Sequence, residues 1–371
     1  MFQITTIDDS LPTIFFGDFT RILWELILAN IAEELAGRVL EGNWMVGPKA
    51  ETSKEQTGGN FSIGYQVINN DGRKGFLKVL DFSRAFSCAD PVEAMATLTN
   101  FFNFERELLT RCKDAKMSRV VVAIAQGNYT EEGEQIPVPY IIFEFAESDI
   151  RRESISKKKP ELSQVLMSLR HIATGIGQLH KNGIAHQDLK PSNILLFENK
   201  GTKIADLGRS SIQGSHGPFD HLNVPGDPGY APPEQRYGHI ETSWGPRRFA
   251  GDLYLFGSLV VFMFTGANLT LLLEQKITTG HSWREWSGSW NEVLPYLRRA
   301  HNEVIEEIKD SFPEFLRDEL VQAVRQLCEP DPNARGHDIA KARGVPYSMI
   351  WFVSLFDKLS KRAAIKLRKQ K

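Results

Sequence analysis

His186-Gln187-Asp188-Leu189-Lys190-Pro191-Ser192-Asn193 is the stretch on which the reading of this chain turns. An aspartate is followed two residues on by a lysine and five residues on by an asparagine. Thirteen residues after Asn193 comes Asp206-Leu207-Gly208. Upstream, Leu162, Val165, Leu166, Leu169, Ile172, Ala173, Ile176 and Leu179 recur at nearly the helical period, which predicts a helix. Downstream, Ile194–Phe197 and Thr202–Ala205 read as two short strands. The first stretch is therefore a loop between a helix and a hairpin, and Asp206 follows the second strand.

Other stretches fall around it in a definite order. Phe61–Ile68 and Phe76–Leu80 predict a hairpin about the turn Asn69-Asn70-Asp71-Gly72, with Lys78 on the return strand. Residues 92–112 predict a helix that carries Phe104-Glu105-Arg106-Glu107-Leu108-Leu109. Strands are expected at Val120–Ala125 and Tyr140–Phe145. Beyond the central loop come Gly226-Asp227-Pro228-Gly229-Tyr230-Ala231-Pro232-Pro233-Glu234, then Asp252-Leu253-Tyr254-Leu255-Phe256-Gly257, then Asp331-Pro332-Asn333-Ala334-Arg335. Helices are expected to fill most of 247–328.

Taken together, residues 44 to 340 resemble the eukaryotic-like (Hanks-type) serine/threonine protein kinases, with soluble bacterial members the nearest in layout. The resemblance implies an α+β, two-lobed fold with a small β-rich N-lobe at 44–146 and a larger helical C-lobe at 147–345. It leaves an N-terminal helical extension at 1–43 and a basic C-terminal tail at 346–371. It also implies an ATP- and Mg2+-dependent transfer of the γ-phosphate to Ser or Thr of a protein substrate. Asp188 would accept the hydroxyl proton and Lys190 would sit near the transferring phosphate. Asn193 and Asp206 would hold Mg2+, a hard cation that prefers oxygen ligands. Lys78 would hold the α- and β-phosphates, with Glu105 as its partner and Glu107 as the alternative. Backbone groups around Glu144–Ala146 would bond the adenine edge behind a gatekeeper at Phe143. Lys190 between Asp188 and Asn193 is similar to the serine/threonine pattern rather than the tyrosine one. The family's docking loop, central helix and buried ion pair would be supplied by Ala231–Glu234, Asp252 and Arg335. A pseudokinase binding module is the alternative from another class, and a small-molecule phosphotransferase is a third reading.

The chain departs from the family pattern at four places. In Gln56–Gly64 only Gly59, before the tip residue Phe61, matches a family glycine, while Thr57 and Ser62 stand at the others. Gln187 stands where most members have the arginine that reads an activation-segment phosphate, and residues 208–233 contain no threonine. Activity without phosphorylation of that segment is therefore expected. Asp227 stands where a threonine is usual, which predicts an Asp227–Lys190 ion pair. Leu207 replaces the usual phenylalanine and is expected only to pack.

Composition sets the outer limits. The 371 residues are 42% hydrophobic and 24% charged, so the chain can bury a sizeable core. The net charge of -2 gives no general affinity for nucleic acid. Three scattered cysteines predict reduced thiols and a cytoplasmic setting. No membrane segment is expected, since the apolar run Leu253–Phe264 suits a buried core helix. Residues 18–40 read as one helix, closed by Gly37 and Gly42. The tail after Asp357 carries seven basic residues in fourteen and could meet an anionic partner.

Overall fold

The structure, a computed structural model, describes residues 31–50, 62–132, 137–156 and 159–369. The chain forms two compact units: residues 1–103 with 124–143, and residues 104–123 with 144–371.

The first unit is built on a six-stranded sheet of β1 (Val39–Leu40), β2 (Trp44–Lys49), β3 (Ser62–Ile68), β4 (Lys74–Leu80), β5 (Ala123–Tyr129) and β6 (Val138–Glu144). The strand order is β1-β2-β3-β4-β6-β5. The β3–β4 hairpin forms where the turn residues place it. Asn69 Oδ1 accepts from the N–H groups of Asp71 (3.1 Å) and Arg73 (2.8 Å), and Gly72 takes φ +76°. Period-two alternation then sends Tyr65, Val67, Leu77 and Val79 into the core with Val138, Tyr140 and Ile142. The register sets Lys78 opposite Gly64.

The helix expected over 18–40 stops early. Of its described part only residues 31–33 are helical. Gly37 turns left-handed at φ +85°, and Val39–Leu40 pairs with Trp44–Met45 as a strand. Leu35 and Leu40 are buried against the sheet. Residues 18–30 lie outside the described residues. The helix expected over 92–112 is α1 (Pro91–Asp114), whose first turn is held by Asp90 Oδ1 accepting from Glu93 N–H at 3.0 Å. The strand expected over Val120–Ala125 begins later, at Ala123. Val120 makes only an isolated parallel bridge to Ile204, because it belongs to the second unit.

The second unit is helical. Its central helix, Ala250–Thr265, is buried on every side from Ala250 to Val261 and closed by Gly266 at φ +79°. An all-round apolar helix is stable in water only inside a core. The span Gly245–Thr265 is the one helix among the described residues long and apolar enough to cross a membrane, and 72% of its apolar window is buried inside the protein.

Leu162–Lys181 forms as its periodicity predicts, with a capping box between Glu161 and Gln164. Short strands Ser148–Asp149, Ile194–Phe197 and Gly201–Ile204 form a second sheet. The basic C-terminal stretch is helical and packed. Ile350–Arg368 is a helix that packs on Leu162–Lys181 and buries Phe352, Phe356 and Leu359 in the core. Phe356 meets Phe256 of the central helix edge-on at 5.7 Å. Part of its basic character is engaged internally: Lys361 pairs with Asp357 at 2.8 Å, and Arg362 pairs with Glu319.

Candidate active site

The hairpin Ile194–Phe197/Gly201–Ile204 closes the thirteen-residue gap between Asn193 and Asp206. Ile194 lies opposite Ile204, and Ala205 N–H donates to Asn193 O at 2.8 Å. The two oxygen-bearing side chains thus leave the same end of one ladder. Asp206 and Gln187 both adopt left-handed backbone, at φ +63° and +65°. Such conformations cost non-glycine residues about 1–3 kcal/mol and persist only where the surroundings hold them.

Asp252 does much of that holding. Its carboxylate accepts from His186 N–H (2.7 Å), Gln187 N–H (2.8 Å) and His180 Nε2 (2.9 Å). Burial alone would push Asp252 up, but these donors bring its pKa below the ordinary carboxylate value. His186 ties the loop to the hairpin. Its Nε2 donates to Ala205 O at 3.0 Å, since a carbonyl only accepts, and its Nδ1 accepts from Asp188 N–H at 3.2 Å.

Asp188 is thereby fixed in the interior at 5% exposure. Its Oδ1 accepts from Asp227 N–H at 2.8 Å. Its Oδ2 lies 3.1 Å from Asn193 Nδ2 and 3.1 Å from Lys190 Nζ. Lys190 also reaches Asp227 Oδ2 at 3.3 Å, which is the ion pair expected from the sequence. Burial raises the Asp188 pKa, and the like charge of Asp206 adds to that against the pull of Lys190. Lys190 is held charged: burial opposes its charge, but Asp188 and Asp227 together outweigh burial.

The donor set suits a hard cation. Asn193 spends its amide nitrogen on Asp188, at the backbone O (2.8 Å) and the carboxylate, which leaves the amide oxygen as the atom that could ligate a cation. With the Asp206 carboxylate it offers oxygen donors only. Among the described residues no group of three or more His, Cys, Asp and Glu side chains is placed to hold a metal.

Burial separates the two glutamates that the sequence left open. Glu105 is 4% exposed, whereas Glu107 is exposed and pairs with Arg111 at 2.6 Å. A Cβ built on Gly208 would meet Asp206 Oδ1 at 3.4 Å and Glu105 Oε2 at 3.9 Å, so the Glu105 carboxylate stands beside the Asp206–Gly208 turn. Leu207 is fully buried, as a packing residue should be.

Lys78 lies in the first unit, half-buried on β4. Gly59 and Phe61 lie outside the described residues. The Glu144 carboxylate is buried and bonds Lys200 Nζ (2.7 Å) and Lys203 Nζ. Burial would raise its pKa, but the two lysines bring it below the ordinary value. Ala146 is partly buried, and next to it Glu147 N–H donates to Leu196 O at 3.1 Å.

Three further residues escaped the sequence reading: His180 on Asp252, and Arg248 with Asp220 beside Gln187. They lie 72, 61 and 28 positions from their partners, so no local spacing marks them.

A β-sheet lobe and a helical lobe bearing this loop constellation make up the protein-kinase-like fold. A family model described as "Protein kinase domain" matches residues 54–346. The chain belongs to the protein kinase family. It is similar to the serine/threonine-protein kinase PrkC of Bacillus subtilis, 29% identical over 236 residues. That match covers 57% of this chain and 35% of the relative. The probable serine/threonine-protein kinase PknB of Lactococcus lactis is 24% identical over 215 residues, covering 57% of this chain and 33% of the relative. The human hormonally up-regulated neu tumor-associated kinase is 26% identical over 199 residues, covering 53% of this chain and 24% of the relative. The chain thus spans at most about a third of the length of these curated relatives.

Proposed function

We propose that this chain is an ATP- and Mg2+-dependent protein serine/threonine kinase that needs no phosphate on its activation segment. The observation that carries the reading is the buried cluster of Asp188, Lys190, Asn193 and Asp227, in which each charged or polar group has a partner.

In this reading the substrate hydroxyl gives its proton to Asp188 as its oxygen bonds the γ-phosphorus. The bond from that phosphorus to the β–γ bridging oxygen breaks, leaving ADP. Asp188 is oriented for that role by the bonds its carboxylate accepts from Asp227 N–H and Asn193 Nδ2. Lys190 supplies fixed positive charge where negative charge gathers on the transferring group. Asn193 and Asp206 would hold Mg2+, which neutralises phosphate charge when bound. Lys78 is assigned to the α- and β-phosphates, Glu105 to the catalytic set, and Gly59, Phe61, Glu144 and Ala146 to nucleotide binding. The reading also puts the protein in the cytoplasm. The three widely spaced cysteines of the sequence, which suit reduced thiols, are what supports that.

The test is γ-phosphate transfer from labelled ATP with Mg2+ to a generic basic protein, by this chain and by Asp188→Ala. Label on Ser or Thr that vanishes in the variant is the expected result. Nucleotide binding by thermal shift with no transfer would replace the kinase by a binding module.

A further inference from the structure

The activation segment needs an anchor, because the family's phosphate-reading arginine is Gln187 here. The structure supplies one of different make. Gln187 Nε2 donates to Arg248 O (2.9 Å) and Asp252 Oδ1 (3.1 Å), and its Oε1 accepts from Arg248 Nη1 at 3.3 Å. Arg248 then reaches into the segment. Its Nη2 lies 2.9 Å from Asp220 O and 3.1 Å from Asp220 Oδ1. The Asp220 carboxylate collects two more donors from the segment itself, Ser211 Oγ at 2.6 Å and Gly217 N–H at 2.6 Å. Arg247 Nη2 adds a bond to Asp220 O at 2.9 Å.

Arg248 is 3% exposed. A guanidinium so deeply buried must be answered by an anion, and Asp220 is the carboxylate in contact with it. A phosphate on an activation segment acts in the same physical way, presenting oxygens to a guanidinium and to nearby donors. Here the anion is encoded, and the cation has moved from the catalytic loop to the turn Gly245–Phe249 that leads into the central helix.

We infer that Asp220 and Arg248 are positioning residues that lock the activation segment onto the catalytic loop, with the Asp220 carboxylate in the place of a phosphate. This deepens the kinase reading and rests on it for its effect on turnover. The lock itself can be read without turnover. It also assigns a role to Ser211, whose hydroxyl is spent on Asp220 and buried. A phosphate there would set like charge against Asp220 and open the lock.

The experiment uses the full chain, stripped with phosphatase and checked by mass spectrometry. It is compared with Asp220→Ala, Asp220→Asn, Arg248→Met and the double variant Asp220→Ala/Arg248→Met. Two quantities are read: kcat and KM for ATP on a generic basic protein, and amide hydrogen exchange across residues 209–231. The phosphatase-treated wild type is expected to stay active. Each single variant is expected to lose about tenfold or more in kcat with KM for ATP little changed. Exchange should quicken at the Gly217 amide and its neighbours but not at His186–Asn193. The double variant should be no worse than either single one, since partners of one interaction are not additive.

Wild type inactivated by phosphatase would overturn the inference. So would a folded Asp220→Ala with unchanged kcat and unchanged exchange. If Asp220→Ala melts globally, Asp220→Asn decides, since it keeps the shape and one acceptor oxygen. If no protein transfers phosphate at all, the kinase reading fails, and exchange in Asp220→Asn still decides the lock.

Discussion

Asp227 holds Asp188 and Lys190 at once: its N–H donates to Asp188 Oδ1 at 2.8 Å, and its Oδ2 stands 3.3 Å from Lys190 Nζ. One residue of the docking loop thus fixes both the proposed base and the cation beside it. Removing its carboxylate should free Lys190 to turn wholly to Asp188. Asp227→Ala is expected to cost about tenfold in phosphoryl transfer, worth about 1.4 kcal/mol. Asp227→Thr should fold normally, which circular dichroism would check. A sharp rise in its activity would sink the ordering role.

Gly226 leaves no room for a side chain. A Cβ there would sit 2.2 Å from Gln187 O and 2.9 Å from Asp188 Oδ1. Backbone cannot step aside as a flexible side chain can, so Gly226→Ala must move the docking loop. A shift of order 1 Å at reacting groups can cost about 10²-fold in rate. Overpacking costs about 1–3 kcal/mol in stability. Gly226→Ala should therefore remain folded by thermal melt while losing most of its turnover.

Arg335 and Glu234 form a fully buried pair, at 2.9 Å and 3.0 Å through two separate nitrogens. Arg335 also donates to Ala250 O at 2.8 Å and Pro330 O at 3.1 Å. Glu234→Gln or Arg335→Met each strands one buried partner and should destabilise by about 3–5 kcal/mol. Urea unfolding is the measurement. The double variant should lose clearly less than the two losses added together.

His301 gives the pH dependence a definite sign. It is 3% exposed, and burial, with Arg325 and Arg335 adding like charge, pushes its pKa down to about 3. A depressed histidine stays neutral in the native state while the unfolded chain takes up a proton below about pH 6.5. Its contribution is therefore intact above that pH and drains away as the pH falls towards 3. By linkage the loss between pH 8 and pH 5 is about 2 kcal/mol. Denaturant titrations at both values should show that difference shrinking by this amount in His301→Leu. Equal differences in both proteins would refute it.

The legible parts of this chain were local in sequence. The hairpin around Asn69–Gly72 and the helix at 162–181 could be read because turn residues and period act over a few positions. Two long-range pairs, Asp227–Lys190 and Glu234–Arg335, were also legible, but only through resemblance, since spacing alone does not bring them together. The Arg248–Asp220 link and the His180 bond to Asp252 could not be read, because they are made by tertiary packing of elements far apart in the chain. Gly37 was seen as a helix end, yet the strand pairing of Val39–Leu40 was missed, as two residues carry no period. The C-terminal helix was read by its charge, while its fate was decided by Phe352 and Phe356 on the other side.

Asp252, rooted in the buried central helix, also sets a timescale. Amides that donate to such a carboxylate exchange with solvent only when the core itself opens. The backbone at His186 and Gln187 should therefore be among the slowest-exchanging in the chain, although loops ordinarily exchange fast. A loop of that kind cannot serve as a switch on the scale of microseconds to milliseconds. Any rapid control of this protein has to act on parts that move more easily, and the catalytic loop is the fixed frame against which they do so.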